Sequence, residues 1–203
     1  DNMDKICPNK DVRRLILKNY LSGFDRHLLF HALGIKKDSA FYFIEIAAKN
    51  GYLEVLRWLR ENGCHWDEWT CSYAAFNGHL EVLIWVRENG CPWDGRTCSY
   101  AAENGHLEVL KWAAANGCPW DERTCSSAAR KGHLKILEWL KEHGCPWDVY
   151  TCSNAALNGH FDLLKWAVKN GCPWDNRTWI TAAQNNHVEI MQWAVENGCP
   201  AHY

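Results

Sequence analysis

Gly117-Cys118-Pro119-Trp120-Asp121-Glu122-Arg123-Thr124-Cys125-Ser126-Ser127-Ala128-Ala129-Arg130-Lys131-Gly132-His133-Leu134-Lys135-Ile136-Leu137-Glu138-Trp139-Leu140-Lys141-Glu142-His143 is one of five copies of a single 27-residue unit. Its opening phrase, Gly-Cys-Xaa-Trp-Asp, begins at Gly63, Gly90, Gly117, Gly144 and Gly171, and a clipped sixth begins at Gly198. A fixed period in this range marks a stacked repeat protein, in which a small unit that cannot bury its apolar face alone uses its neighbours as core. Such an array points to binding rather than chemistry.

Within the unit, start and stop signals mark two helices. Asp121 precedes a helix-compatible run and can cap the unpaired N–H groups of a first turn, and the same residue recurs at Asp67, Asp94, Asp148 and Asp175. The first helix ends at Gly132, the residue type that takes the left-handed conformation at a helix C-terminus. Its Ala128-Ala129 pair leaves room for another helix to approach closely. The second helix runs from near His133 to Gly144, with Leu134, Ile136, Leu137, Trp139 and Leu140 forming a wide apolar stripe, as expected of a helix covered by two neighbours. No period-two alternation suggests strands. Of 13 tryptophans, 11 keep register, five in the connector and six in the second helix, which makes them architecture.

The tract Cys98-Ser99-Tyr100-Ala101-Ala102-Glu103-Asn104-Gly105-His106-Leu107-Glu108-Val109-Leu110-Lys111-Trp112 resembles the ankyrin repeat, whose T-P-L-H-x-A-A-x-x-G-H tract and second helix both have counterparts here. A degenerate copy stands before it at Ile44-Glu45-Ile46-Ala47-Ala48-Lys49-Asn50-Gly51-Tyr52-Leu53-Glu54. The resemblance implies an all-α solenoid. An ankyrin repeat has about 33 residues, and the deficit falls in the connector, where Cys-Pro-Trp-Asp replaces the β-hairpin finger, so the fingers should be absent or stubby. This short variety looks like the arrays of large DNA viruses and of protists. The organisation expected is an N-terminal helical cap over residues 1–35, a degenerate repeat over 36–62, full repeats over 63–89, 90–116, 117–143, 144–170 and 171–197, and a stub over 198–203.

Composition nominates no partner by charge: 22 basic and 24 acidic residues give a formal net charge of −2, which argues against nucleic acid or an anionic membrane surface. No apolar run approaches a membrane span, and the first residues are not a signal peptide. Eleven cysteines raise the question of disulfides. Pairing each loop cysteine with the helix cysteine seven residues on leaves Cys172 facing Trp179, and pairing each helix cysteine with the loop cysteine 20 residues later leaves Cys64 facing Ile44 and Cys199 facing Trp179. A position that accepts Cys, Ile or Trp behaves as an apolar site, so reduced, buried thiols and a cytoplasmic location are expected, although a chain opening on Asp leaves secretion open.

Chemistry finds little purchase. His79, His106, His133, His160 and His187 share one repeat position, but stacked copies stand about 8–10 Å apart while zinc needs its ligands about 2 Å from one point. A histidine bonding backbone at a tight turn is the better reading. Within the array there is no Cys-x-x-Cys or His-x-x-x-His pair, no phosphate-binding glycine loop, and no unique nucleophile–base constellation. No enzyme activity, metal or cofactor is expected.

Recognition should fall where copies differ within a fixed frame. Three first-helix positions vary most and share one helix face: Trp69, Tyr73 and Phe76; Arg96, Tyr100 and Glu103; Arg123, Ser127 and Arg130; Tyr150, Asn154 and Leu157; Arg177, Thr181 and Gln184. In ankyrin proteins this is the concave, partner-binding face. The expectation is a protein-binding groove anchored by Trp69, Tyr73 and Phe76, with Arg96, Arg123, Arg130 and Arg177 selecting an acidic or polar segment. A rival role for the aromatic triplet is to cover the adjoining N-terminal helices. The tract around Cys7-Pro8-Asn9-Lys10-Asp11-Val12, with Ile16, Leu17, Tyr20, Leu21, Asp25 and Leu28, resembles the start of an F-box, which would make the chain a ubiquitin-ligase substrate receptor bound to a Skp-type adaptor. A third reading is a structural, particle-associated assembly protein.

Overall fold

The computed structural model describes residues 40–61 and 63–199, which form helices without a strand. The N-terminal cap and its F-box-like tract lie outside the described residues. Six helix pairs follow one another: α1 (Ala40–Asn50) and α2 (Leu53–Glu61), α3 (Glu68–Phe76) and α4 (Leu80–Glu88), α5 (Gly95–Glu103) and α6 (Leu107–Ala115), α7 (Glu122–Arg130) and α8 (Leu134–Glu142), α9 (Val149–Leu157) and α10 (Phe161–Lys169), α11 (Asn176–Gln184) and α12 (Val188–Glu196). The connectors carry no finger, as the missing six residues predicted; residues 91–94, for example, are irregular.

Each first helix starts where the sequence marks it. The Asp at the N-cap is extended, and its Oδ1 accepts from the N–H two residues on, at 3.0 Å for Asp67 and Trp69, 2.9 Å for Asp94 and Arg96, and 3.0 Å for Asp121 and Arg123. The Ala-Ala pairs at 74–75, 101–102, 128–129 and 155–156 are wholly buried, so consecutive first helices pack with their backbones close. The second helices meet through larger side chains, and their backbones approach one another less closely. Their leucines close the core, with Leu83, Leu110, Leu137 and Leu164 fully buried, each worth about 1.5–3 kcal/mol of burial.

The histidine ladder is an inter-repeat fastener. Nε2 of His79, His106, His133 and His160 donates at 3.1 Å to the carbonyls of Lys49, Phe76, Glu103 and Arg130, and that of His187 at 3.2 Å to Leu157. Each acceptor lies in the last turn of the preceding repeat's first helix, where carbonyls lack an intrahelical partner. The bond also fixes the tautomer, since a carbonyl can only accept. The glycine that ends the first helix makes room for this ring: at Gly132, with φ +74°, a Cβ would stand 2.6 Å from Nδ1 of His160.

The loop cysteines form a second fastener. Sγ–H of Cys91, Cys118, Cys145, Cys172 and Cys199 reaches the carbonyl of the capping Asp in the preceding repeat, at 3.3, 3.4, 3.4, 3.6 and 3.2 Å. All ten described cysteines are buried free thiols. The helix cysteine does meet the loop cysteine 20 residues later, as in the second pairing weighed from sequence, but as a thiol contact. That contact and burial hold the Cys71, Cys98, Cys125 and Cys152 thiols far above the ordinary thiol range.

Candidate functional site

Stacking turns the variable first-helix triplets into three columns whose members lie one repeat apart. In the first column, the Arg96 guanidinium sits 3.9 Å over the Trp69 ring and that of Arg177 5.0 Å over Tyr150. The second is led by Tyr73, which leans on Trp69 with ring centroids 5.8 Å apart. Between columns, Phe76 meets Tyr100 edge to face at 5.6 Å. In the third, Arg130 and Glu103 form an ion pair at 3.7 Å. Asn154 donates from Nδ2 to the Ser126 carbonyl at 3.3 Å, and Leu157 is half-buried. None of Trp69, Tyr73, Phe76, Arg96, Tyr100, Glu103, Arg123, Arg130, Tyr150, Asn154, Leu157 and Arg177 is buried; Tyr150, at 51% exposure, is the most open aromatic among them.

The electrostatics of this surface were hidden in the sequence. Each arginine of the row has a carboxylate beside it: Arg96 donates from Nη2 to Asp94 at 2.7 Å and to Glu68 at 3.0 Å, Arg123 stands 3.8 Å from Asp121, and Arg177 stands 3.7 Å from Asp175. Because Asp121 and Asp175 already cap helices, one carboxylate serves both tasks. Hydrogen bonding to Arg96 holds the Asp94 carboxyl below the usual range and raises the guanidinium in turn, while burial raises the Tyr73 phenol. The row therefore presents planar guanidinium and aromatic surfaces with nearly balanced charge. Arg123, whose side chain is 80% exposed, is its most accessible cation.

Sequence reasoning missed the cations over the connector tryptophans. Arg60, Arg87 and Lys141 lie over Trp66, Trp93 and Trp147, and the signal was a basic residue six positions before the indole. It also missed the reach of each His into the preceding repeat. Among the described residues no group of His, Cys, Asp and Glu could hold a metal ion, and no helix is long and apolar enough to cross a membrane.

A family model of ankyrin repeats in many copies matches residues 44–87, 98–140 and 125–168. Comparison with curated protein sequences gives no match. Among solved structures, the human ASB11 ankyrin repeat domain is similar, with a TM-score of 0.61 at 17% identity over 77% of this chain and 83% of that one. That level of identity speaks for the fold alone. Ankyrin repeats are in general protein-binding modules and typically non-enzymatic, and with the model matching more than half of its residues this chain belongs to the ankyrin repeat family.

Proposed function

We propose that the chain is a protein-interaction scaffold that binds its partner along the first-helix face. The supporting observation is that the twelve residues are accessible and that four contacts link members of neighbouring copies, Arg96 over Trp69, Phe76 on Tyr100, Arg130 with Glu103 and Arg177 over Tyr150, on a frame fixed by histidine and cysteine fasteners. Aromatic and Arg side chains dominate interface energetics because they bury large rigid areas and still form directed contacts. The anchor is Trp69, Tyr73 and Phe76, and the middle of the row selects polar or acidic segments by exchange, a partner carboxylate replacing Asp121 at Arg123. The 27-residue period and the Cys-Pro-Trp-Asp connector favour kinship with the short arrays of large DNA viruses and protists, which would make the partner a cytosolic protein of the host or cell.

The test is proximity capture in the native cell with wild type beside a Trp69→Ala, Phe76→Ala double variant whose helicity is intact by circular dichroism. Loss of one specific protein in the folded variant supports the row; an unchanged partner list removes it. Recovery of a Skp-type adaptor equally by both chains would instead mark the chain as a ligase substrate receptor.

A further inference from the structure

Between the connectors and the second helices lies a second set of aromatics, and two of its five places differ from the other three. Each connector indole meets the edge or face of a second-helix indole, with centroids 5.7 Å apart for Trp66 and Trp85, 5.9 Å for Trp93 and Trp112, 5.7 Å for Trp120 and Trp139, 6.0 Å for Trp147 and Trp166, and 5.4 Å for Trp174 and Trp193. The residue six positions earlier, in the last turn of the preceding second helix, covers the ring. Arg60 lies 4.4 Å over Trp66, Arg87 4.0 Å over Trp93 and Lys141 4.1 Å over Trp147. At Trp174 the place is taken by Val168, which packs against the core.

At Trp120 it is taken by Ala114, a single methyl, and among the described residues no cation lies over this ring. Two further substitutions fall at the same place. Ala115 stands where the other copies carry Glu or Lys, and His143 stands where they carry Asn. The His143 ring is stacked on Trp139 at 4.2 Å, which extends the aromatic surface instead of covering it. Glu138 and Glu142 lie on the same helix as Trp139, as do Lys135 and Lys141; Lys141 lies over Trp147, and Lys111 of the preceding second helix is engaged by Glu108 at 2.9 Å.

We propose that Trp120, with Trp139 and His143, is a docking site for an arginine side chain of a protein partner. The chain itself states the chemistry: the same ring in the same setting holds an arginine or lysine in three other copies, twice an arginine, and of the two places without a cation this one carries only a methyl while the other carries the larger Val168. The ring quadrupole attracts a cation over its face. One such contact is weak, so it serves as an anchor within a larger interface. The site does not depend on the first-helix row.

The test follows the indole N–H resonances of the full chain by NMR during titration with an acetylated, amidated tri-arginine peptide at millimolar concentration, beside a tri-glutamine peptide at equal ionic strength. Trp120 is assigned by Trp120→Phe. The expected result is a shift of Trp120 at least twofold larger than those of Trp66, Trp93 and Trp147, absent with tri-glutamine and abolished in Ala114→Arg, which supplies the missing cation from within. A uniform shift of all connector indoles, an equal response to tri-glutamine, or an undiminished shift in an Ala114→Arg chain with its other indole resonances in place would overturn the proposal.

Discussion

At the scale of single residues, the glycines separate two effects that are usually entangled. Gly132 and Gly144 both have positive φ, +74° and +77°, but a Cβ at Gly132 would meet the His160 ring at 2.6 Å while one at Gly144 would meet nothing within 4 Å. Gly144→Ala should therefore cost about 1 kcal/mol, the left-handed backbone alone, whereas Gly132→Ala adds displacement of the His160 ring and should cost about 2–4 kcal/mol; urea melts of the two variants decide it. Asn186 shows the complement. It holds φ +59° where other copies carry glycine, and no described histidine presses on it. His106 gives a pH dependence of known sign. Burial, aided by His79 and His133 on either side, lowers its pKa against the opposing effect of the Phe76 carbonyl. The unfolded chain then binds a proton first, so the contribution is complete above about pH 6.5 and is lost as pH falls from there toward the folded value. His106→Gln should flatten the fall of Tm over that interval; an unchanged slope would show that other groups carry it.

Elements are held by caps and by the seams between first helices. Asp121→Ala removes the bond to the Arg123 N–H, so a loss of about 1 kcal/mol is expected in chemical denaturation. The seams contain a buried threonine in every full copy. Among the described residues Oγ1 of Thr97 has no hydrogen-bond partner, while that of Thr124 is 3.3 Å from Ser99 Oγ. An unpaired buried hydroxyl is a desolvation cost without return. Thr97→Val should accordingly raise stability by as much as about 1 kcal/mol, and Thr124→Val should lower it by about the same amount. Equal effects of the two substitutions would show that the Ser99–Thr124 contact contributes nothing.

For the whole molecule, the main contacts between elements among the described residues run within a repeat or between adjacent repeats, so stability is close to a sum of units and interfaces. Deleting residues 117–143 joins two copies whose meeting surfaces are the same as those removed: His160 would face the Glu103 carbonyl and Cys145 the Asp94 carbonyl. The shortened chain should keep its helical circular dichroism per residue and melt cooperatively at a lower temperature. Loss of helicity throughout would mean that the array folds as one indivisible core.

The period, the two helices, the Asp caps, the glycine stops and the absence of fingers could all be read from the sequence, because each depends on residues close together in the chain and each is stated five times. The variable row was legible for the same reason, since helical spacing alone places positions 69, 73 and 76 on one face. Tertiary structure decided whatever joins residues 24 to 30 apart: which carbonyl each histidine and cysteine reaches, and how Glu68 holds Arg96. Local spacing says which way a side chain points, but its partner in the next repeat depends on the distance and rotation between stacked units. Those are set by how closely the Ala-Ala faces approach, and the sequence determined the opportunity for that approach while the packing determined its result.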